Sequence, residues 1–157
     1  MGRAVANRRQ VLASSRPSAR VACCLRGHEA VSTILKFCQS IPVRTIEPGA
    51  ILFAEGKHDR TLCILVDGEV EILKDDFQVN MVSEPGAVFG EMSILLNSPH
   101  TATVRARTPC RIHMIEDGDA FLRENKDMAY DLLKIVAGRL QGVTTHLTNL
   151  NRYVRAM

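Results

Sequence analysis

The sequence predicts an α+β domain that is mainly β, a sandwich or roll of short strands closed by helices. Three observations carry this. Between Pro42 and Glu116, short apolar or alternating runs are separated by turns built on Gly, Pro and Asp. No strand–helix–strand alternation of the kind that builds a parallel sheet occurs there. After Glu116 the apolar spacing changes to three and four residues, which is helical.

Taken in order, EAVSTILKFCQSI (Glu29 to Ile41) places Ile34, Leu35, Phe37, Cys38 and Ile41 at helical spacing, with Ser32 as N-cap and Pro42 as the stop. Val43 to Ile46 alternate, Glu47-Pro48-Gly49 turns the chain, and Ile51 to Phe53 form a brief strand. Leu62 to Val66 is a nearly continuous apolar strand. Asp67-Gly68 follows as a two-residue hairpin signal, because a type I′ turn needs positive φ. Glu69 to Leu73 alternates as the return strand. Asp75-Asp76 turns into Phe77 to Val82, and Pro85-Gly86 leads to Val88-Phe89. Thr103 to Arg107 and Arg111 to Ile115 are expected to pair around Thr108-Pro109. Asp117 caps a short helix through Phe121 and Leu122, and Asn125 caps a longer one from Lys126. Along it Val136, Leu140, Val143, Leu147, Leu150 and Val154 recur in steps of four and three, a heptad seam. That seam packs on the helix's own β-roll or forms a two-helix homodimer contact.

At 157 residues the chain suits one domain with an appendage. The expected division is a basic leader over residues 1–28 and a folded domain over 29–157. The core must be aliphatic, since Trp is absent. Five cysteines, with no CxxC pair, argue against a disulfide framework or zinc knuckle and for a reducing cytoplasm. No run of about 18 apolar residues occurs, so no membrane span is expected. The overall charge of +3 hides an asymmetry: residues 1–28 hold six arginines and no acid, which leaves the rest at −3. A slightly acidic body argues against a broad nucleic-acid-binding face. The basic head reads as a disordered leader, a transit-like or membrane-surface segment, or a nucleic-acid arm.

Enzymatic chemistry finds little support. The five histidines are scattered and form no HxH pair, so the metal site of a cupin-like roll is not expected. Neither GxSxG nor a GxxxxGK[ST] phosphate loop is present. The remaining signal is GEMSILLNSPHTATVRA, from Gly90 to Ala106. Gly90 permits close backbone approach, and a short helix beginning at Glu91 leaves N–H groups unpaired at its start. Those donors and the local dipole favour an anion, most naturally a phosphate. Glu91 beside an anion makes sense if it accepts hydrogen bonds from a sugar hydroxyl. A phosphate joined to a ribose answers both demands. Pro99 fixes the turn, and His100 and Thr101 aim donors at the same place.

FGEMSILLNSPHTATVRA resembles the phosphate-binding cassette of the cyclic-nucleotide-binding domain family, which includes catabolite activator proteins, protein kinase A and G regulatory modules and nucleotide-gated channels. IEPGAILFAEG (Ile46–Gly56) and LCILVDGEVEIL (Leu62–Leu73) resemble that family's early strands, and the helices after Glu116 its closing helices. The resemblance covers roughly residues 30–155. It implies an eight-stranded antiparallel, jelly-roll-like β-roll with an N-terminal helix and two or three C-terminal helices. It also implies cAMP or cGMP as ligand and no metal. By resemblance Gly90, Met92 and Ser93 serve the phosphate and Glu91 the ribose, while Thr101, whose donor is read above as aimed at the phosphate, stands where family members with Thr can contact a guanine. Val143 and Thr144, at the level of the helix that covers the base, are base-contact candidates.

One position departs from the pattern: His100 stands where the family has an arginine for the cyclic phosphate. A guanidinium is a fixed fork with permanent charge, whereas an imidazole is charged conditionally. Two hypotheses follow. In the first the domain is a non-catalytic sensor whose affinity rises as pH falls and whose ligand rearranges the C-terminal helices. In the second it no longer binds nucleotide and serves as a dimerisation or interaction module. A variant of the first makes it the sensing half of a transcription regulator. No helix-turn-helix, kinase pattern or channel segment is present, so an output protein or further domain is expected.

Overall fold

A computed structural model describes residues 33–157. The Ser32 cap and the basic leader lie outside the described residues. The expected N-terminal helix is, within them, chiefly a 3-10 turn over Leu35–Cys38. Eight strands follow: β1 (Val43–Ile46), β2 (Ile51–Phe53), β3 (Leu62–Asp67), β4 (Val70–Lys74), β5 (Phe77–Val82), β6 (Val88–Phe89), β7 (Thr103–Ala106) and β8 (Cys110–Ile115). Helix α1 (Glu91–Leu96) interrupts them between β6 and β7, and α2 (Gly118–Glu124) and α3 (Lys126–Ala156) close the chain. The strands form two antiparallel four-stranded sheets, ordered β1-β8-β3-β6 and β2-β7-β4-β5.

Two expected pairings are absent. β3 and β4 flank Asp67-Gly68, yet they lie in opposite sheets; so do β7 and β8 on either side of Thr108-Pro109. These turns are corners where the chain crosses between sheets, and the corners bond to each other. The backbone N–H groups of Arg107 and Thr108 donate to Glu69 O at 2.8 and 3.3 Å, and Glu69 N donates to Thr108 Oγ1 at 2.9 Å. Gly68, at φ +100°, sits where they touch: a Cβ there would fall 2.6 Å from Pro109 O and 2.7 Å from Cys110 Sγ. Gly68→Ala is therefore expected to cost about 2–3 kcal/mol in chemical denaturation; an unchanged midpoint would show that the corner yields. The tight hairpin lies instead at Asp75-Asp76, both at positive φ, between paired β4 and β5.

β3 explains the continuous apolar run. Cys63 and Leu65 face the interior between the sheets, with Phe53, Phe89, Val104 and Ile112. Leu62 and Ile64 face the other way, onto a second cluster with Ile34, Cys38, Leu122, Met128, Leu132 and Ile135. A strand buried on both faces has no polar side to alternate with. Asp117 caps α2 as expected, accepting from Ala120 N at 3.1 Å. Asn125 does not cap α3 with its side chain, which instead donates to Phe121 O and closes α2.

Helix α3 divides in two. Its first half packs Met128, Leu132 and Ile135 on the β1-β8-β3-β6 sheet, and Val136 joins that contact instead of the exposed seam. Beyond it Leu140, Val143, Leu147, Leu150 and Val154 stand 47–71% exposed. Among the described residues no helix is long and apolar enough to cross a membrane.

Candidate functional site

A cavity of about 140 Å³ opens where β6 and α1 meet the β2-β7-β4-β5 sheet. Gly90, Glu91, Met92, Ser93, His100 and Thr101 all line it, with Phe53, Ile72 and Val104 beneath and Arg139 of α3 at its edge. The local cause is short-range. Gly90 adopts φ +88° and begins α1; Asn97 ends that helix after one and a half turns, also left-handed. The Ser93 hydroxyl donates to Ser98 O at 2.6 Å and Ser98 N donates to Ser93 O at 3.1 Å, cinching the segment. Ser93 thus offers a ligand its backbone N–H, not its hydroxyl. The first-turn N–H groups of α1 have no helical acceptor four residues back.

Gly90 is demanded by the protein itself. A Cβ on it would strike Thr61 O and lie 2.9 Å from Phe53 Cζ. Its absence seats the cassette against the start of β3, a reason distinct from ligand approach.

Glu91 is the buried carboxylate of the site, 5% exposed. Burial pushes its carboxyl upward, and the charge of Arg139 opposes this in part. Arg139 Nη1 donates to Glu91 Oε1 at 2.6 Å, and Nη2 to Val88 O at 3.4 Å. Sequence reasoning missed Arg139, although a signal existed: it continues the core-facing row Met128, Leu132, Ile135 by four residues. A cation extending a buried helical stripe needs an acid waiting for it.

His100 is also buried, its ring 4.5 Å from that of Phe53. Its Nε2 lies 3.2 Å from Asp59 Oδ2, near enough for an ion pair, but no acceptor is in line for a hydrogen bond. Asp59 is a second residue the sequence did not disclose. Burial pushes its carboxyl up, but the Thr61 N–H and His100 outweigh this and hold it below its ordinary value.

Val143 and Thr144 do not line the cavity. Both stand on the exposed half of α3, and the Thr144 hydroxyl donates to Leu140 O at 2.9 Å. Helical geometry sets them beyond Arg139, one turn too far along. Among the described residues no group of three or more metal-ligating side chains comes together.

The cavity gathers first-turn backbone donors, an imidazole and a buried carboxylate, and among the described residues lining it no nucleophile and base are hydrogen-bonded to each other. It suits holding a small polar anion. Comparison with known proteins agrees. A family model described as "Cyclic nucleotide-binding domain" matches residues 43–142. A cAMP-dependent protein kinase regulatory subunit of Yarrowia lipolytica is 35% identical over 82 residues, covering 52% of this chain and 21% of that protein. The chain therefore spans about a fifth of that relative's length. The fold is shared with the catabolite activator protein of Thermus thermophilus, at TM-score 0.62 and 23% identity over 78% of this chain and 59% of the other. A structure titled "Sp-2Cl-cAMPS bound to PKAR CBD2" matches at TM-score 0.59 and 22% identity, over 79% of this chain and 88% of its own. With the family model spanning most of the β-roll and the start of α3, the chain belongs to the cyclic nucleotide-binding domain family.

Proposed function

We propose that this domain is a non-catalytic sensor of a cyclic nucleotide, with cAMP the first ligand to test and cGMP the second. The observation that carries the reading is Glu91: a carboxylate 5% exposed, inside the cavity, pushed upward by burial and held by one arginine from another element. Such a group is costly unless something uses it. In this reading Glu91 accepts from the ribose hydroxyls, and the backbone at Gly90, Met92 and Ser93 with His100 and Thr101 receives the phosphate.

The cavity is below the range of about 300–1,000 Å³ usual for ligand sites. In this reading Arg139, at the cavity's edge, shifts as the nucleotide enters and so couples the site to α3. A ligand moves that helix only by binding one arrangement more tightly than the other. That movement would bring Val143 and Thr144 toward the base and carry the signal to an output protein or domain. Calorimetric titration with cAMP and cGMP tests this; no heat and no thermal stabilisation at millimolar ligand would favour an interaction module without ligand.

We infer separately that two copies of the chain pair through α3. Its exposed row Leu140, Val143, Leu147, Leu150 and Val154 recurs at the heptad spacing by which two helices pair, and continues past the β-roll. Leu147→Lys with Leu150→Lys should leave the circular dichroism unchanged and convert a dimer to a monomer in sedimentation. A wild-type monomer at tens of micromolar would remove this part. Cytoplasmic placement fits the free buried thiols of Cys38, Cys63 and Cys110.

A further inference from the structure

His100 is held from several sides. Its backbone N–H donates to Lys57 O at 2.7 Å, its carbonyl accepts from Gly56 N at 2.9 Å, and its ring packs on Phe53. Its side chain is 5% exposed, and Nε2 is buried without an aligned partner. Asp59, 3.2 Å away, is pinned in turn: Oδ1 accepts from Thr61 N at 2.9 Å, and its backbone carbonyl lies 3.3 Å from the Ser93 hydroxyl. The loop from Gly56 to Arg60 thus ties the imidazole to the first turn of α1. Of the charged groups on this loop Asp59 lies against the ring, while Lys57, His58 and Arg60 are exposed; Glu91 of α1, paired with Arg139 of α3, lines the cavity with His100. Its own segment, Asn97 to Thr101, carries no other titratable group.

We propose that phosphate binding in this cavity is coupled to uptake of one proton by His100, with Asp59 the positioning residue that readies the ring for it; this rests on the cyclic-nucleotide reading. The chemistry is one of donors. A neutral imidazole has one N–H, so it can serve Asp59 or a phosphate oxygen with a donor, not both. Protonation turns both ring nitrogens into donors and adds a full charge. Asp59 stands 3.2 Å from Nε2 as one negative neighbour of that form, and the ligand anion adds a second. By linkage the ligand then binds the protonated protein more tightly, so affinity rises as pH falls through about 8 to 5, where an ordinary imidazole changes charge. The limiting slope is about tenfold per pH unit for one proton. A cyclic phosphodiester keeps a single charge throughout this range, so the dependence belongs to the protein.

The test is calorimetry of the whole chain with cAMP across that pH range, in two buffers of different ionisation enthalpy, so that proton uptake is read directly. Wild type should take up protons and bind about tenfold or more tightly at the acid end. His100→Arg, which keeps Glu91 and its titration, should bind without that slope. Asp59→Asn preserves the acceptor for Thr61 N and removes the charge, so its profile should move to lower pH with affinity near neutrality reduced about 3- to 10-fold. Binding with no pH dependence overturns the proposal while leaving the nucleotide reading intact. An Asp59→Asn profile that superimposes on wild type overturns the role of Asp59. No binding at any pH, in wild type and His100→Arg alike, overturns the nucleotide reading and this inference with it.

Discussion

His100→Arg will bind cyclic nucleotide about 30-fold more tightly than wild type near pH 7.5. A charge-assisted, two-pronged contact to phosphate is worth about 2–4 kcal/mol over its absence, or roughly 30- to 1,000-fold. The lower end is the expectation here because Asp59 Oδ2 stands 3.2 Å from the present Nε2 and will claim part of the guanidinium. The cavity wall also limits the gain, since Phe53 packs against residue 100. Fluorescence competition with a labelled cyclic nucleotide measures the ratio. A His100→Arg variant that keeps its melting temperature yet binds no better than wild type would mean that the phosphate does not sit beside this position.

Replacing Glu91 by Gln should separate affinity from stability. The variant loses a charged acceptor for the ribose hydroxyls, worth about 1.5–3 kcal/mol, so binding weakens about 10- to 100-fold. Its stability should move the other way. Burial raises the Glu91 carboxyl above its unfolded value, with Arg139 only partly offsetting this. A raised carboxyl contributes stability that is present below the unfolded titration and lost as pH rises through the folded one. Glutamine mimics the neutral form at every pH. The variant's melting temperature should therefore match wild type in acid and exceed it increasingly toward neutrality. Arg139, with its side chain 44% exposed, can rehydrate when it loses its partner. Melting curves across pH supply the check: a variant less stable than wild type at neutral pH would show that the ion pair outweighs the cost of burying its carboxylate.

Both variants probe one physical situation, a small domain that keeps two titratable groups buried in the wall of a cavity. The cost is tolerable because each has a single charged neighbour delivered from a distant part of the chain, Arg139 to Glu91 and Asp59 to His100. Neither neighbour completes the site alone. Arg139 donates to the carboxylate that a sugar would use, so under the proposed function its movement would link ligand to α3.

The amino-acid sequence by itself determined the elements and the composition of the cassette. Short strands, their turns and the change to helical spacing after Glu116 are local properties, set by backbone sterics and side-chain period within a few residues. The cassette is local as well: Gly90 to Thr101 is contiguous, so its residues reach one cavity almost wherever the fold places it. Only the tertiary structure decided which strands pair. Asp67-Gly68 has the chemistry of a hairpin, but its partner is the corner at Thr108, some forty residues on, and that long-range hydrogen bonding sends β4 to the opposite sheet. Arg139 and Asp59 were hidden for the same reason. Ion pairing depends on distance in space: an aspartate in a loop looks the same whether it faces water or a buried partner, and the helical spacing of Arg139 behind Ile135 marks its face without naming the acid it meets.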